Sequence, residues 1–181
     1  KKITNNHKIG VIKMEVQRNT MPNIKFLKQV RELATKKNIV LIFDECTSGF
    51  RQSFGGLHKS INVIPDMAIF GKALGNGYAI TAVLGKDEVM EKAKKSFMSS
   101  TFWTERIGPT AALKTLEIME RDSSWLRITN LGNKLISIWK RISKRHNVKI
   151  QINGLPALAK FSFLGQKSQE YKTYLTQEML K

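Results

Sequence analysis

The sequence predicts an α/β fold, in which a mostly parallel sheet with helices on both faces is followed by the start of a smaller α+β domain. Three observations lead to this prediction. Residues 10–43 give a strand, a helix and a second strand, which is the order of a right-handed crossover unit. The second strand, residues 39–43, is apolar without polar alternation, as is typical of parallel strands covered on both faces. Beyond Arg145 the pattern changes to short strands and one helix.

The first third of the chain contains the crossover unit. Residues 10–16 read as a strand with an acid, Glu15, near its end. Pro22 suits the first turn of the following helix, where the missing N–H leaves no hydrogen bond unmade. The apolar positions of this helix recur at helical spacing: Phe26, Leu27, Val30, Leu33 and Ala34. Lys36, Lys37 and Asn38 supply the cations and the stop of its C-terminal end.

The middle of the chain alternates loops with short elements. Residues 47–64 are loop-like, and Pro65 and Asp66 form a turn into a strand over residues 67–70. A glycine-rich turn then leads to an apolar segment, residues 79–84, and Asp87 fits the cap of a short helix ending near Phe97. Pro109 marks the first turn of a further helix that runs through Met119.

The last third contains a long helix and the start of a second domain. Residues 123–145 have a long amphipathic pattern, with these apolar positions: Trp125, Ile128, Leu131, Leu135, Ile138 and Ile142. Residues 148–152 and 158–163 read as strands, and residues 169–180 as a helix. We therefore divide the chain into residues 1–122, part of a large domain, and residues 123–181, the connecting helix with an incomplete small domain.

The charge of the chain is strongly positive. Among 181 residues, 31 Lys and Arg stand against 14 Asp and Glu, which gives a net charge of +17. Such a balance raises nucleic acid as a partner, and a basic nucleic-acid-binding protein stays open as a distant alternative. The lysines are spread along the chain, however, without interleaved aromatic residues that could stack on bases. This spread favours a lysine-rich surface.

Cysteine and histidine usage excludes two classes of site. The single cysteine, Cys46, cannot form an intrachain disulfide and fits a reducing, cytoplasmic compartment. The three histidines, His7, His58 and His146, lack metal-ligand spacing, so we predict no metal site.

No apolar run is long enough to cross a membrane. The chain begins without Met, in a polar stretch close to a strand, and we interpret it as a piece of a longer protein.

Two ionisable residues stand at the predicted ends of buried strands. Asp44 follows the apolar residues 39–43, and Lys72 follows residues 67–70 and a glycine. Neighbouring parallel strands would aim both side chains into one crevice at the sheet edge, where α/β sheets bind ligands. An amine that forms a Schiff base and an acid that keeps a ring nitrogen protonated are what pyridoxal 5'-phosphate (PLP) chemistry requires. A solvated lysine and a turn or cap acid remain the alternative interpretation.

Two other phosphate-binding motifs are excluded at Lys72. A P-loop needs glycine where Asp66 stands and Ser or Thr where Ala73 stands. A dinucleotide-binding fingerprint starting at Gly75 would need glycine at Ile80. What remains is a lysine beside a glycine-rich turn, which allows the backbone to approach a planar ligand closely.

Three ordered blocks resemble a known family. They are residues 41–51 (LIFDECTSGFR), 65–67 (PDM) and 71–78 (GKALGNGY). Together they resemble class III PLP-dependent aminotransferases, with the greatest likeness to the glutamate-1-semialdehyde aminomutase-like branch. The resemblance covers residues 11–162. It implies the large domain of a fold-type I PLP-dependent transferase, plus the start of its small domain.

The resemblance also implies roles for individual residues. Lys72 matches the Schiff-base lysine, and Asp44 matches the acid that pairs with the pyridine nitrogen. Cys46 stands where the family usually has a valine against the ring, and is expected to act as a small apolar filler. Thr104 matches the threonine that reaches the cofactor phosphate of the partner subunit, with Thr101 as the alternative register. Glu15 matches the acid of a Glu-Pro pair, but Val16 replaces the proline, so only a structural role is expected for it.

The activity implied is transfer of an amino group between an amine or amino acid and a keto or aldehyde acceptor. Migration of the amino group within one molecule, as in glutamate-1-semialdehyde 2,1-aminomutase, uses the same lysine and acid and remains the alternative. The resemblance further implies PLP as cofactor and a homodimer with shared active sites. Trp103, Glu105 and Arg106 depart from the small residues of the family loop and are expected to shape the substrate end. The phosphate loop, the ring-stacking aromatic and a substrate-carboxylate arginine of the family have no counterpart in this chain, so we expect this internal piece to be inactive by itself.

Overall fold

The larger of the two sheets in the described part of the chain has four strands. The structure is a computed structural model, and it describes residues 8–18, 20, 23–97, 101–102 and 104–181. The four strands lie side by side in chain order: β1 (Val11–Glu15), β2 (Val40–Asp44), β3 (Met67–Phe70) and β4 (Ala82–Gly85). The pairs β1–β2 and β2–β3 are parallel, whereas β4 runs antiparallel to β3. The predicted mostly parallel sheet is therefore confirmed.

Six α-helices accompany the strands in the described part of the chain. They are α1 (Ile24–Lys36), α2 (Leu57–Ser60), α3 (Asp87–Ala93), α4 (Ile107–Asp122), α5 (Ser124–Arg145) and α6 (Ser168–Met179). Short 3₁₀ helices follow β3 at Lys72–Leu74 and precede the last strand at Pro156–Leu158. The segment predicted as a loop contains α2. Asp87 is the first residue of α3 and makes no capping bond there, because the N-cap position falls on Lys86.

The first crossover helix begins where a side chain satisfies its free N–H groups. The Asn23 side-chain oxygen accepts a hydrogen bond from the Phe26 N–H at 3.1 Å, so α1 starts at Ile24. Leu27 and Ala34 are buried against the sheet. Phe26, which was predicted on the apolar face, is 51% exposed. Pro22 lies outside the described residues.

Only one face of the central strand is fully buried in the described structure. Leu41 and Phe43 have no exposed surface, and the Phe43 Cα pairs with that of Ala68, which continues this buried face into β3. Because side chains alternate along a strand, Ile42 and Asp44 point to the opposite face, where both are half-buried. The open face therefore carries Asp44 at the carboxyl end of β2.

A buried acid, Asp66, holds the sheet together at the end opposite to Asp44. Asp66 Oδ2 accepts hydrogen bonds from the Leu41 N–H at 2.8 Å and from Arg31 Nη1 at 2.7 Å. Its Oδ1 is 2.7 Å from Lys86 Nζ. Burial alone would raise the pKa of Asp66, but the Leu41 N–H and the two cations outweigh it and lower this pKa to about 2. The carboxylate ties α1, β2 and the end of β4 together and so sets the positions of the strand ends.

The long helix α5 leads into a second small sheet. Strands β5 (Ile150–Asn153) and β6 (Lys160–Phe163) pair antiparallel beside it, and α6 follows. The helix packs closely at Gly132, where an added Cβ would lie 1.9 Å from the Pro156 carbonyl oxygen. Packing therefore occurs on the Gly132 side of α5, and four of the six predicted apolar positions are exposed: Leu131, Leu135, Ile138 and Ile142. Leu155, which the predicted boundary assigns to the small domain, is buried in the same core as Leu41.

Candidate active site

Asp44 lies at the carboxyl end of β2, with both of its carboxylate oxygens in polar contacts. Oδ2 is 3.0 Å from the ammonium nitrogen of Lys13 on β1, and Oδ1 accepts a hydrogen bond from the Cys46 N–H at 3.2 Å. The side chain is 22% exposed. Burial by itself would raise the pKa of Asp44, but the hydrogen bonds from Lys13 and the Cys46 N–H lower it below its ordinary value. Asp44 is therefore a carboxylate at neutral pH.

Lys72 follows β3 on the neighbouring strand. Its backbone has a φ angle of 48°, which is a left-handed conformation that residues other than glycine rarely adopt. The residue is exposed, and its Nζ atom donates a hydrogen bond to the Thr47 hydroxyl at 2.6 Å. Thr47 belongs to the turn that begins after Asp44, so the amine of Lys72 points toward the carboxyl end of β2.

Cys46 lies close enough to both Asp44 and Lys72 to interact with their charges. A Cβ added to Gly71, the residue before Lys72, would lie 3.4 Å from the Cys46 sulfur. Burial raises the pKa of the Cys46 thiol, and the carboxylate of Asp44 raises it further, although the charges of Lys72 and Lys13 oppose this. A thiol with a raised pKa is a poor nucleophile, which agrees with the expected role as a small filler.

These contacts define a group that we call the strand-end cluster: Lys13, Asp44, Cys46, Thr47 and Lys72. Lys13 and Asp44 lie on the open face of the sheet, and Cys46, Thr47 and Lys72 belong to the segments that follow the carboxyl ends of β2 and β3. Parallel α/β sheets present their ligand-binding groups at this edge. The structure therefore brings together three residues that the sequence singled out, Asp44, Cys46 and Lys72.

A cavity of about 750 Å³ lies on one side of Lys72. Its walls include the glycine-rich turn at Gly75 and Gly77 and two further cations, Arg51 and Lys114. Asp44 and Cys46 do not line it, so Lys72 stands between this cavity and the rest of the strand-end cluster. The buried Arg51 Nε atom has no hydrogen-bond partner among the described residues.

The turn that carries Cys46 and Thr47 is anchored by a fully buried acid, Glu45. One of its oxygens accepts hydrogen bonds from the Ser48 hydroxyl and the Leu57 N–H, and the other from the His58 N–H. The ring nitrogen Nδ1 of His58 lies 2.7 Å from Glu45 Oε1, the oxygen that also accepts the backbone N–H of His58. Burial would raise the pKa of Glu45, but these hydrogen bonds outweigh it and lower the pKa below its ordinary value. The Glu45 carboxylate holds the turn on the first residues of α2.

The other predicted site residues lie away from these contacts. Thr104 and the alternative Thr101 are exposed residues ahead of α4, and none of the contacts of Asp44 or Lys72 described above involves them. Glu15 forms an ion pair with Arg18 at 3.7 Å, and its Cα pairs with that of Asp44 across β1 and β2. Trp103 lies outside the described residues. In the described ranges, no group of three His, Cys, Asp or Glu residues could hold a metal ion, and no helix is both long and apolar enough to cross a membrane.

The sequence analysis missed Lys13, Thr47 and Glu45. Lys13 interrupts the apolar pattern of β1, which was a usable signal, but its partner depends on the register between two strands. Thr47 and Glu45 flank the predicted site residues inside the matched block, yet spacing alone could not show which one faces the ligand edge and which one is buried.

Comparison with known proteins identifies the family. The family profile of aminotransferase class-III matches residues 19–180. This chain belongs to the class-III aminotransferase family. Among curated members, it is 40% identical over 158 residues to the 3-aminobutyryl-CoA aminotransferase of Cloacimonas acidaminovorans, which covers 87% of this chain and 38% of that protein. It is 31% identical over 160 residues to the glutamate-1-semialdehyde 2,1-aminomutase of Methanosphaera stadtmanae, again covering 87% and 38%.

Solved structures share the fold of this class-III family member. The FumI protein of Sphingopyxis sp. MTA144, determined in its PLP internal aldimine form, superposes with a TM-score of 0.85 at 21% identity, over 89% of this chain and 41% of that one. The ornithine aminotransferase of Plasmodium yoelii gives a TM-score of 0.73 at 23% identity, over 84% and 42%. The fold prediction is confirmed, and the chain spans less than half the length of the relatives that it matches.

Proposed function

We propose that the full-length protein is a PLP-dependent enzyme that transfers an amino group between an amine or amino acid and a keto or aldehyde acceptor. The observation that carries the proposal is the strand-end cluster. An amine and a carboxylate follow two neighbouring parallel strands at one edge of the sheet, and the amine is hydrogen-bonded to the turn after the carboxylate. Membership of the class-III aminotransferase family supports this reading.

The residues of the cluster fit PLP by their chemistry. Lys72 would hold the cofactor covalently through Nζ, because this amine is exposed on the ligand-binding edge. Asp44 would accept the hydrogen of the ring nitrogen, because its lowered pKa keeps it ionised. Cys46 would pack beside the ring, and Thr104 would contact the phosphate held by the partner subunit. When bound, PLP supplies an electron sink that makes the substrate C–H bond acidic.

The work of the protein residues follows from these positions. Asp44 would favour a protonated ring nitrogen through its negative charge, and the Cys46 N–H holds this carboxylate in place. Lys72 would hold the cofactor until an incoming amine takes its place, and the freed Nζ atom would then serve as the base that removes the proton from the carbon bearing the amino group and as the acid that gives it back. Thr47 orients this amine through its hydroxyl oxygen.

The lysine assignment is tested by chemical trapping. Full-length protein is incubated with PLP and reduced with borohydride, and the labelled peptide is identified by mass spectrometry. We expect the label on Lys72 and no label in a Lys72→Ala variant. Lys114→Ala is the matched control, because Lys114 lines the same cavity as Lys72 and should leave labelling intact. A label on any other lysine in the wild-type protein would refute the assignment.

A second candidate is migration of the amino group within one molecule. The 31% identity to a glutamate-1-semialdehyde 2,1-aminomutase favours it, and it would use Lys72 and Asp44 in the same roles. The two activities differ in their need for a second substrate. Turnover of glutamate 1-semialdehyde without any external keto acid would support the mutase, whereas a strict requirement for an acceptor would support the transferase.

We also propose that the full-length protein is a cytoplasmic homodimer with shared active sites. The single cysteine supports a reducing compartment, and the dimer is the arrangement in which Thr104 would serve the neighbouring site. Subunits carrying Lys72→Ala are mixed with subunits carrying Thr104→Val and allowed to exchange. If the two residues act across the interface, each hybrid dimer has one intact site and activity rises. If activity stays at the sum of the two parents, the shared site is excluded.

A further inference from the structure

A second cation shares the face of the sheet on which Asp44 lies. The Cα of Lys13 pairs with that of Ile42, and the Cα of Glu15 pairs with that of Asp44. Because side chains alternate along each strand, Lys13, Glu15 and Asp44 all point to the open face. The ammonium nitrogen of Lys13 is 3.0 Å from Asp44 Oδ2, and the Lys13 side chain is 56% exposed.

This contact occupies an atom that the proposed cofactor needs. Asp44 Oδ1 already accepts the Cys46 N–H, whereas Oδ2 is in contact with the Lys13 ammonium group. A protonated ring nitrogen that approaches Asp44 must either share Oδ2 with Lys13 or displace it. Resting on the proposed function, we infer that Lys13 competes with the ring nitrogen of PLP for Asp44 and thereby weakens cofactor binding.

The direction of the effect follows from the charges around Asp44. Lys13 brings a positive charge to a place where the cofactor brings another, and like charges repel. Among the described residues, Lys72 on the neighbouring strand end and Glu15, which is paired with Arg18, are further charged groups close to Lys13, Asp44 or Cys46.

Lys13 is not needed to keep Asp44 ionised. The carboxylate is partly exposed and keeps its hydrogen bond from the Cys46 N–H. The ordinary pKa of an aspartate, 3.8, already lies far below neutral pH. Removing the charge of Lys13 therefore leaves the anion in place and frees Oδ2 for the ligand.

The expected gain is moderate because the pair is open to solvent. The Lys13 ammonium and the protonated ring nitrogen would share the Asp44 carboxylate at a site that is partly open to water. Removing the charge of Lys13 should therefore strengthen cofactor binding roughly three- to tenfold. Lys13→Met removes the charge and keeps most of the side-chain length. Lys13→Gln is a second neutral variant for the case that Met disturbs the strand. Lys13→Arg keeps the charge and should keep the affinity of the wild type.

The experiment measures binding of pyridoxamine 5'-phosphate to the full-length protein by calorimetry. This ligand has the ring nitrogen but lacks the aldehyde, so its affinity does not depend on capture by Lys72. Lys13→Met and Lys13→Gln should bind it roughly three- to tenfold more tightly than the wild type. An analogue with C–H in place of the ring nitrogen should bind all variants alike. Lys25→Met, on the exposed side of α1, is the control for the loss of one positive charge.

Three results would overturn the inference. They are unchanged or weaker binding in both neutral variants, an equal gain for the carbon analogue, and an equal gain in Lys25→Met. The proposed function fails separately. If the wild-type full-length protein binds neither PLP nor pyridoxamine 5'-phosphate, both proposals fall, whereas normal binding that Lys13 does not influence removes this inference alone.

Discussion

The side-chain amine of Lys72 donates a 2.6 Å hydrogen bond to the hydroxyl of Thr47, which joins the segment after β3 to the turn after β2. The backbone of Lys72 adopts a left-handed conformation at this point. Such a conformation costs on the order of 1–3 kcal/mol in a residue other than glycine, and strained residues of this kind cluster at active sites. The bond therefore directs an amine on a strained backbone toward the turn that follows Asp44.

The first prediction concerns Thr47. Thr47→Val removes the acceptor of the Lys72 amine and keeps the shape of the side chain. Because a single hydrogen bond of this kind contributes about 1 kcal/mol, the rate at which full-length protein captures PLP should fall roughly three- to tenfold. Stopped-flow absorbance measures this rate. Thr47→Ser retains the hydroxyl and should behave as the wild type. An unchanged rate in Thr47→Val would show that the bond does not orient the amine.

The second prediction separates the roles of Asp44 and Lys72. Lys72→Ala should abolish covalent capture of PLP, because no amine remains at this place. Asp44→Ala should still capture PLP but should lower the rate of amino-group transfer about a hundredfold, because the charge that favours the protonated ring nitrogen is lost. Absorbance of the bound cofactor measures capture, and single-turnover kinetics measures transfer. The assignment of Asp44 would be wrong if its variant lost capture and kept the transfer rate of the remaining bound fraction.

The ends of the strands could be predicted from the sequence, whereas the partners of the residues at these ends could not. Apolar runs fix where β2 and β3 give way to Asp44 and Lys72, because buried strands tolerate few polar residues. The pairing of Lys13 with Asp44 depends instead on the register of two parallel strands, which no local pattern encodes. Periodicity alone predicts an apolar stripe on α5 that includes Leu135, but it does not show what this stripe packs against. The helix instead packs at Gly132, since the missing side chain lets the backbone of Pro156 approach.

The third prediction concerns the buried anchor of the site turn. Glu45 accepts hydrogen bonds from the N–H groups of Leu57 and His58 and from the Ser48 hydroxyl. Glu45→Ala would leave these buried donors without a partner, so the free energy of unfolding of the full-length protein should fall by about 3 kcal/mol. Urea denaturation measures the change.

Glu117 offers the matched control for this experiment. It is an exposed acid in contact with Lys114, and Glu117→Ala should change the free energy of unfolding by about 0.5 kcal/mol or less. An equal loss of stability in both variants would mean that the Glu45 network does not anchor the turn. Glu45→Gln should fall between the two, because the amide keeps one acceptor oxygen but directs its NH₂ group against a buried donor.

The fourth prediction is a pH dependence of stability at Asp66. The Leu41 N–H, Lys86 and Arg31 lower the pKa of this carboxyl from its ordinary value of 3.8 to about 2 in the folded protein. A lowered pKa means that the ionised group stabilises the folded state at pH values above about 4, and that this contribution is lost as the pH falls from about 4 through about 2. The difference corresponds to about 2 kcal/mol at neutral pH. Asp66→Asn should therefore be less stable than the wild type by about this amount at pH 7, and the two proteins should converge as the pH approaches 2.

Urea denaturation of the full-length protein at pH 7, 4 and 3 measures this convergence. Asp87→Asn, at the exposed start of α3, removes one negative charge elsewhere and should show a much smaller difference that does not follow the same course. The Leu41 N–H keeps its place in the sheet in Asp66→Asn, because the Asn side-chain oxygen can still accept its hydrogen bond, whereas the charge that pairs with Arg31 and Lys86 is gone. The stability lost at pH 7 therefore measures the two ion pairs together. Because the carboxyl of the unfolded chain becomes protonated near pH 4, the difference between wild type and Asp66→Asn should already be about 1 kcal/mol smaller at pH 3 than at pH 7. A difference that stays constant from pH 7 to pH 3, or one that vanishes already at pH 5, would contradict the lowered pKa.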